Sequence, residues 1–277
     1  MPTTYVGVSN FNPSITIPVD GDLADANSVN VSAKDELDTQ INLFESYGQL
    51  MQSTSPLRVR FSSLNSIDVD PIPFIALTEG GTWKTTFTTT TTNVSDADLE
   101  GGGVFANNTW YYVYAYSVLG VCNFQISTVL PDIFFLYKSG TFSHKYICSF
   151  KTSNTGSVIP FEKYGNYITY EAGLAVDGGS ATTITTVNTS LYIPPSNNVP
   201  RLCKIQLNID SNIVFGDSEI FVFPRIGTDG YQFYARANGI DTTIFDISTD
   251  ETRNIYYFVQ NVPPTPVATF KILGYYE

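Results

Sequence analysis

Charged side chains and histidine are scarce in this chain of 277 residues. Charged residues make up 14% of it, against about a quarter of an ordinary soluble domain, and there is a single histidine. With 14 basic and 26 acidic residues, the net charge is −12. A chain this acidic does not hold a nucleic-acid backbone by bulk electrostatics. The composition therefore argues against nucleic-acid binding.

Long apolar runs are also missing, and the first residues do not have the pattern of a secretory signal. No stretch approaches the roughly 18 apolar residues of a membrane-spanning helix, so we expect no membrane partner. The first residues, from Met1 to Gly7, lack a basic segment followed by an apolar one. We therefore expect no secretory signal, and synthesis in a cytoplasm.

Cysteine is rare as well. The three cysteines, Cys122, Cys148 and Cys203, are widely spaced and form no Cys-x-x-Cys motif. In a reducing compartment such residues are buried thiols. We expect three free thiols; one disulfide plus one free thiol is the alternative.

Residues that favour strands and turns take the place of charge. Thr, Ser and Asn are frequent, and the chain has 18 Tyr and 19 Phe. β-Branched and aromatic residues favour strands, and Ser and Asn favour turns. The length allows a large core in one large or two ordinary domains. The composition therefore predicts a β-rich protein and argues against a helical enzyme.

One segment has the pattern of an amphipathic helix. Ser32 and Asp35 form a variant of the capping box at its start. An apolar stripe with alternating spacings of four and three residues follows, as in a coiled coil: Leu37, Ile41, Phe44, Gly48 and Met51. The helix either lies on the protein's own core or bundles with copies of itself, and the second reading makes the protein an oligomer.

The chain after Pro56 consists of short strand-like segments separated by turn residues. Leu57 to Ser62 alternates as a half-buried strand does, and similar segments continue to the end. No repeat of 20–50 residues occurs, which argues against a solenoid or a propeller. We predict a mainly β protein: an extended N-terminal anchor and one helix in 1–54, then a jelly-roll-like β-sandwich in 55–277. A division of the second part into 55–103 and 104–277 stays open.

Patterns for catalysis are weak. His144 lies in a strand-like segment without a Gly-x-Ser-x-Gly motif elsewhere, so we predict a packing or surface residue. Zinc ligands are not clustered, and we expect no cofactor. The carboxylate pairs Asp68/Asp70 and Asp241/Asp246 have no informative spacing, because a glycosidase needs two carboxylates at a set distance in space.

The acidic segment Asp96, Asp98 and Glu100 resembles the first half of a calcium-binding loop. Its twelfth position is Asn107 instead of the glutamate that binds calcium through both oxygens. A solvated turn is therefore the favoured interpretation, and a bound cation is the alternative.

Tyrosines alternate in one predicted strand. Tyr112, Tyr114 and Tyr116 share a parity, and Val113 and Ala115 have the other, so the tyrosines are expected on one face of a sheet. Such a row fills a core between packed sheets or forms a surface that contacts sugars or proteins. The core is the favoured interpretation.

Several segments resemble virion proteins of tailed bacteriophages. PVDGDLADANSVNVSAKDELDTQINLF, from Pro18, is similar to their N-terminal segments. NNTWYYVYAY and HKYICSFKTSNTGSVIPFEKYGNYITY resemble a phage and prophage module with an aromatic strand, a Y-x-x-I-G-S-F strand and an I-P-F…G…Y strand. Cys148 replaces the glycine of that module. LYIPPSNNVPRLCKIQL and ATFKILGYYE resemble its closing strands.

The resemblance covers the chain from about Pro18 onward. It implies a head fibre, a capsid decoration or a tail appendage, often a homotrimer, without defined catalytic residues. We therefore predict a non-enzymatic virion protein, made in the host cytoplasm and bound to capsid, neck or tail proteins through 1–54. The predicted contacts between its copies are made by four helix residues: Leu37, Ile41, Phe44 and Met51.

Two other functions stay open at this point. The first is a tail appendage that binds a host receptor or surface glycan, with Trp83, Tyr231 and Tyr234 as loop residues that make the contact. The second, less favoured, is a glycan-degrading enzyme.

Overall fold

The computed structural model describes residues 3–6, 14–17, 57–72, 75–86, 88–132, 136–195, 199–210, 218–224, 233–237, 240–260 and 267–277. Within these ranges the chain is mainly β and contains no α-helix, which confirms the predicted β class. The predicted helix with Leu37, Ile41, Phe44 and Met51 lies outside the described residues.

Twenty strands and one short 3₁₀ turn, Asp96–Asp98, make up the described secondary structure. The strands are β1 Thr3–Val6, β2 Ser14–Ile17, β3 Arg58–Ser63, β4 Ser66–Val69, β5 Ile75–Glu79, β6 Thr82–Thr86, β7 Thr92–Ser95, β8 Trp110–Val118, β9 Val121–Ser127, β10 Tyr137–Lys138, β11 Thr141–Lys151, β12 Phe161–Tyr164, β13 Tyr167–Gly179, β14 Thr185–Asn188, β15 Leu202–Asp210, β16 Ser218–Phe223, β17 Phe233–Ala237, β18 Ile240–Ser248, β19 Asn254–Gln260 and β20 Val267–Tyr276.

These strands form three larger sheets and two hairpins. The largest sheet has the order β18-β15-β20-β13-β12-β3-β4-β7. A four-stranded sheet has the order β10-β11-β8-β9, and another has the order β14-β19-β16-β17. The hairpins are β1-β2 and β5-β6, and β5 packs against β8 and β11. Neighbouring strands in the sheets are antiparallel. Strands from before and after Gly103 thus share the eight-stranded sheet.

Alternating apolar residues explain the central strands. In β15, Cys203, Ile205, Leu207 and Ile209 are fully buried, and the residues between them are partly exposed. Successive side chains of a strand point to opposite faces, so this pattern buries one face and solvates the other. β20 repeats the pattern beside β15. Together they contribute to one continuous core that reaches all three larger sheets.

Gly274 marks a close approach of two strands in the large sheet. A Cβ atom there would lie 2.1 Å from the carbonyl oxygen of Ile168 in β13, and 2.8 Å from the Tyr167 hydroxyl. Backbone atoms cannot make room as a flexible side chain can. Gly274 therefore has a steric reason to be glycine in the GYY segment.

The three cysteines form no disulfide, as expected. Cys148 and Cys203 are fully buried, while Cys122 is half-buried. At Cys148, where the phage module has glycine, the register of β11 against β8 shifts between Tyr146 and Cys148. Such a bulge bends the strand and changes the aim of its side chains.

Candidate functional site

A buried ion pair joins two strands of the large sheet. Glu277 directly follows β20, and Lys163 lies in β12. The Lys163 Nζ atom is 2.5 Å from Glu277 Oε2, and the two side chains are 7% and 3% exposed. Buried charges are tolerated only when they are paired and hydrogen-bonded. This pair is the most enclosed of the ion pairs in the described ranges.

The same carboxylate also holds the four-stranded sheet. Glu277 Oε1 accepts hydrogen bonds from the Ser149 amide (3.0 Å), the Ser149 hydroxyl (2.5 Å) and the Tyr146 hydroxyl, all in β11. Lys163 Nζ donates to the carbonyl of Ile147, also in β11, at 2.8 Å. The Ser149 hydroxyl lies 2.8 Å from that of Tyr275 in β20. We call these residues the Glu277 cluster; it ties the two sheets together.

Two opposing effects set the charge of Glu277. Burial raises the pKa of its carboxyl, since the charged form loses solvation. The charge of Lys163 and the hydrogen bonds from Lys163, Ser149 and Tyr146 outweigh burial, so the pKa lies below its usual value of 4.5. Glu277 is therefore ionised at neutral pH and forms a true ion pair with Lys163.

The tyrosine row lies next to this cluster. Tyr112 and Tyr114 are buried and pack with Tyr146, while Val113 and Ala115 face the main core on the other side of β8. The prediction that the tyrosines lie on one face of a sheet and fill a core is therefore confirmed for Tyr112 and Tyr114. Tyr116 is only half-buried. Burial raises the pKa of the Tyr112, Tyr114 and Tyr146 phenols, so these three side chains stay neutral.

One end of the four-stranded sheet exposes apolar side chains. The turn between β8 and β9 presents Val118, Leu119 and Val121, and nearby β11 presents Phe142. Leu119 is 87% and Phe142 is 76% exposed. Thr78 of β5 donates to the Phe142 carbonyl at 3.1 Å, which brings the β5–β6 hairpin to this end of the sheet. We call these four apolar residues the apolar end; clustered exposed apolar residues mark contact surfaces.

Glu79 at the end of β5 fixes the turn of the apolar end. Its Oε2 accepts hydrogen bonds from the Ser117 hydroxyl (2.7 Å) and the Gly120 amide (3.0 Å), and its Oε1 accepts one from the Leu119 amide (2.7 Å). Lys84 Nζ lies 3.1 Å from Oε2. These donors, with Ser117 contributing most, lower the pKa of Glu79 to about 2. The turn is thus held by an ionised carboxylate at all ordinary pH values.

In the acidic segment that resembles a calcium loop, the carboxylates of Asp98 and Glu100 bind groups of the protein itself. Asp98 Oδ2 accepts the Ser95 amide at 2.9 Å and completes a capping box for the 3₁₀ turn. Glu100 binds Lys138 at 2.6 Å and the Ser127 hydroxyl at 2.5 Å, which lowers its pKa. Asp96 lies at the start of the turn. The described part of the chain contains no group of three His, Cys, Asp or Glu side chains placed to hold a metal ion.

The other carboxylate pairs are likewise bound to neighbours. Arg60 lies 3.8 Å from Asp68 and 3.2 Å from Asp70. Asp246 pairs with Lys204 at 3.0 Å, and Asp241 accepts the Thr242 amide at 2.7 Å. These contacts position strands and turns in the large sheet.

His144 has the predicted packing role. It is half-buried in β11, and its ring stacks on Tyr116 with the centroids 4.9 Å apart. Its Nδ1 lies 3.0 Å from the neighbouring Ser143 hydroxyl. Burial lowers its pKa, and the charge of Lys138 adds to this effect. His144 is therefore neutral at physiological pH.

The loop positions predicted for the proposed glycan contacts were wrong for two residues. Trp83 lies in β6 and Tyr234 lies in β17, both within paired strands. Tyr231 lies outside the described residues. Bulky aromatic residues are strand formers, which explains the error.

None of the described segments forms an apolar helix of membrane-spanning length.

Sequence reasoning missed the Glu277 cluster and the role of Glu79. Lys163 and Glu277 are 114 positions apart, so no local motif joins them. One signal was present: the alternation of β12 places Lys163 on the same inward face as Phe161. An inward lysine requires a buried partner.

Comparison with family models and with curated protein sequences gives no match. No protein-family model matches the chain, and no curated protein sequence matches it significantly.

Proposed function

We propose that the chain is a structural protein of a virus particle, a surface fibre or decoration protein of a tailed bacteriophage without enzymatic activity. Residues 1–54 attach it to capsid, neck or tail proteins and join its copies into a homotrimer. Residues 55–277 form an exposed body in which the antiparallel sheets pack as a jelly-roll-like sandwich.

The observation that carries this proposal is the structural role of the Glu277 cluster, which ties two sheets together. Its carboxylate and ammonium bind each other and three residues of the neighbouring sheet, Tyr146, Ile147 and Ser149. A carboxylate enclosed by structural donors holds strands together and has no free face for a substrate. The same use of carboxylates at Glu79 and Glu100 supports a structural body.

The surface composition also supports this role. Charged residues are few, and Thr, Ser and Asn occupy some of the exposed strand positions, such as Ser62, Asn93 and Thr242. Such side chains are hydrated without attracting ions strongly. The resemblance of the segment from Pro18 onward to phage virion proteins supports assembly on a virus particle.

The test changes the predicted helix stripe within the full chain. Ile41→Asp and Phe44→Asp introduce charge into the stripe, whereas Asn42→Asp, next to it but off the stripe, is the matched control. We expect a wild-type trimer by light scattering, loss of trimers and of particle incorporation in the two stripe variants, and neither loss in the control. A monomeric wild-type protein, or full incorporation of both stripe variants, would contradict the proposal.

The apolar end favours host-surface binding as the second candidate function. Leu119 and Phe142 are largely exposed there, and such patches mark contact sites. If this candidate is right, Leu119→Asn with Phe142→Ser abolishes binding of the full chain to host cells. Ile244→Ser, which changes an exposed apolar residue in β18, is the control and leaves binding unchanged. Equal binding of all three proteins would contradict it.

A further inference from the structure

Three tyrosines lie side by side on the outer face of the eight-stranded sheet. Tyr164 of β12, Tyr167 of β13 and Tyr276 of β20 are in neighbouring strands, and the register pairs Tyr167 with each of the other two. The adjacent residues Ile168 and Tyr275 are buried in the main core. Because successive side chains of a strand point to opposite faces, the three tyrosines point away from that core. We call Tyr164, Tyr167 and Tyr276 the outer patch.

Tyr164 is the exposed member of the outer patch. It is 62% exposed, more than any other tyrosine in the described ranges, and its side chain forms no hydrogen bond or ring contact within them. Cross-strand packing accounts for Tyr167 and Tyr276, whose ring centroids are 4.7 Å apart. It does not account for Tyr164, whose ring gains free energy when a ligand covers it.

Tyr167 lies along the sheet. A Cβ atom at Gly274 of β20 would be 2.8 Å from the Tyr167 hydroxyl oxygen and 2.9 Å from its Cζ atom, so the end of the ring covers the glycine of the neighbouring strand. Burial raises the pKa of Tyr167 to about 12. Its hydroxyl therefore stays protonated and is able to donate a hydrogen bond.

The backbone under the outer patch is held in place. The turn between β12 and β13, which two members of the patch flank, consists of Gly165 and Asn166. The Gly165 amide donates to the Leu57 carbonyl at 3.0 Å, and the Asn166 carbonyl accepts the Glu277 amide at 2.8 Å. A surface fixed in this way loses little conformational entropy when a ligand binds.

An ion pair borders the outer patch on each side. On one side β3 places Arg58 beside it, and Arg58 Nε is 2.5 Å from Glu162 Oε1. On the other side Lys204 Nζ lies 6.0 Å from the centre of the Tyr167 ring and 3.0 Å from Asp246 Oδ1. The four charged side chains are between 30% and 45% exposed. Each border thus offers hydrogen-bond donors and acceptors together, without net charge.

We propose that the outer patch binds a neutral oligosaccharide, with a sugar ring on Tyr164 and hydroxyls at the two ion pairs. The C–H groups on one side of a sugar ring carry partial positive charge and pack on the negative face of an aromatic ring. A sugar hydroxyl both donates and accepts, which matches borders where Arg58 and Lys204 donate while Glu162 and Asp246 accept. This inference involves neither the apolar end nor the predicted helix, so it is independent of the proposed function.

The test measures binding to the full chain by titration calorimetry. Neutral oligosaccharides of glucose, galactose, mannose or N-acetylglucosamine are titrated in separate experiments, and oligogalacturonate is the anionic comparison. We expect saturable binding of at least one neutral oligosaccharide and weaker binding of oligogalacturonate, since the bordering ion pairs have no net positive charge to attract it.

Three variants locate the binding. Tyr164→Ala is expected to raise the Kd by about tenfold or more, because the ring contact is lost. Tyr164→Phe keeps the ring and stays within about threefold of the wild type, the equivalent of one hydrogen bond. Phe142→Ala removes another exposed ring, at the apolar end, and is the control with an unchanged Kd.

Four results would overturn the proposal. The first is no saturable binding of any neutral oligosaccharide, and the second is tighter binding of oligogalacturonate. The third is an unchanged Kd in Tyr164→Ala, or a loss in Tyr164→Phe as large as in Tyr164→Ala. The fourth is a loss of oligomers in Tyr164→Ala by light scattering, which would assign the outer patch to a contact between copies of the chain.

Discussion

Glu277 and Glu79 are carboxylates with nearly the same donors in opposite surroundings. Each carboxylate accepts hydrogen bonds from a lysine ammonium, a serine hydroxyl and at least one backbone amide. Glu277 is buried between two sheets, whereas Glu79 lies at a surface turn with 23% of its side chain exposed. The chemical partners match, so the surroundings decide what each residue does.

The difference teaches what burial adds to a hydrogen-bonded carboxylate. At Glu79 the donors act with little desolvation, and its pKa falls to about 2. At Glu277 burial opposes the donors, so the lowering of its pKa depends on Lys163. If a partner of Glu79 is lost, water replaces it. A lost partner of Glu277 leaves a charge in the interior, where water cannot replace it.

The largest effect is expected when the Glu277 cluster loses one charge. Glu277→Gln keeps the side-chain size but leaves Lys163 buried without a counter-charge, so we expect the free energy of unfolding to fall by about 3–5 kcal/mol. Urea unfolding at neutral pH measures it. The control is Glu162→Gln, which removes the exposed partner of Arg58 and is expected to change stability by about 1 kcal/mol or less. Equal losses in both variants would show that burial does not distinguish them.

A smaller loss is expected where the approach of β20 to β13 positions the Glu277 cluster. Gly274→Ala brings a Cβ against the Ile168 carbonyl, and overpacking of this kind costs about 1–3 kcal/mol. Thr269→Ala, at a half-buried site in the same strand, is the control, with a change of about 0.5 kcal/mol or less. Thermal unfolding measures both. Wild-type stability in Gly274→Ala would mean that β13 moves aside freely.

The two carboxylates also differ in how they make stability depend on pH. The pKa of each is below 4.5 in the folded protein, so below that pH the unfolded chain binds more protons and stability falls with pH. For Glu79 the loss extends down to about pH 2. Each unit of pKa difference at Glu277 contributes about 1.4 kcal/mol. We expect Glu277→Gln to flatten the decline of the unfolding free energy as the pH falls below about 4.5. An unchanged slope in that range would contradict the ion pair.

The smallest effect on global stability is expected at Glu79. Glu79→Gln weakens the acceptor for the amides of Leu119 and Gly120, so their hydrogen exchange accelerates while the rest of the protein stays protected. The global unfolding free energy changes less than in Glu277→Gln. Glu171→Gln, at an exposed site in β13, leaves both amides unchanged. Unchanged exchange in Glu79→Gln would show that the turn holds without its carboxylate.

Much of the fold could be predicted because its signals are local. The alternation in β15 and β20 and the parity of Tyr112 and Tyr114 follow from the two-residue period of a strand. The free thiols and the packing role of His144 followed from the absence of partner motifs. These features depend on neighbours within a few residues, which are visible in the sequence.

The candidate sites could not be predicted, because their members are far apart in the chain. Lys163 meets Glu277 only after β12, β13 and β20 have paired, and Glu79 meets the β8–β9 turn only when the β5–β6 hairpin packs beside β8. The segment from Asp96 to Glu100 shows the converse. It has calcium-loop spacing, yet Glu100 is bound by Lys138 from another hairpin.

The sequence by itself determined that this protein is built from strands: charge is scarce, apolar residues alternate, and the strand formers Thr, Tyr and Phe are frequent. Only the tertiary structure decided which carboxylates are enclosed and which face water. Strand formation depends on backbone geometry and local alternation, whereas the state of a charge depends on solvent exclusion by residues from distant segments. Glu277 and Glu79 are the same amino acid with similar donors, and the fold alone makes them different.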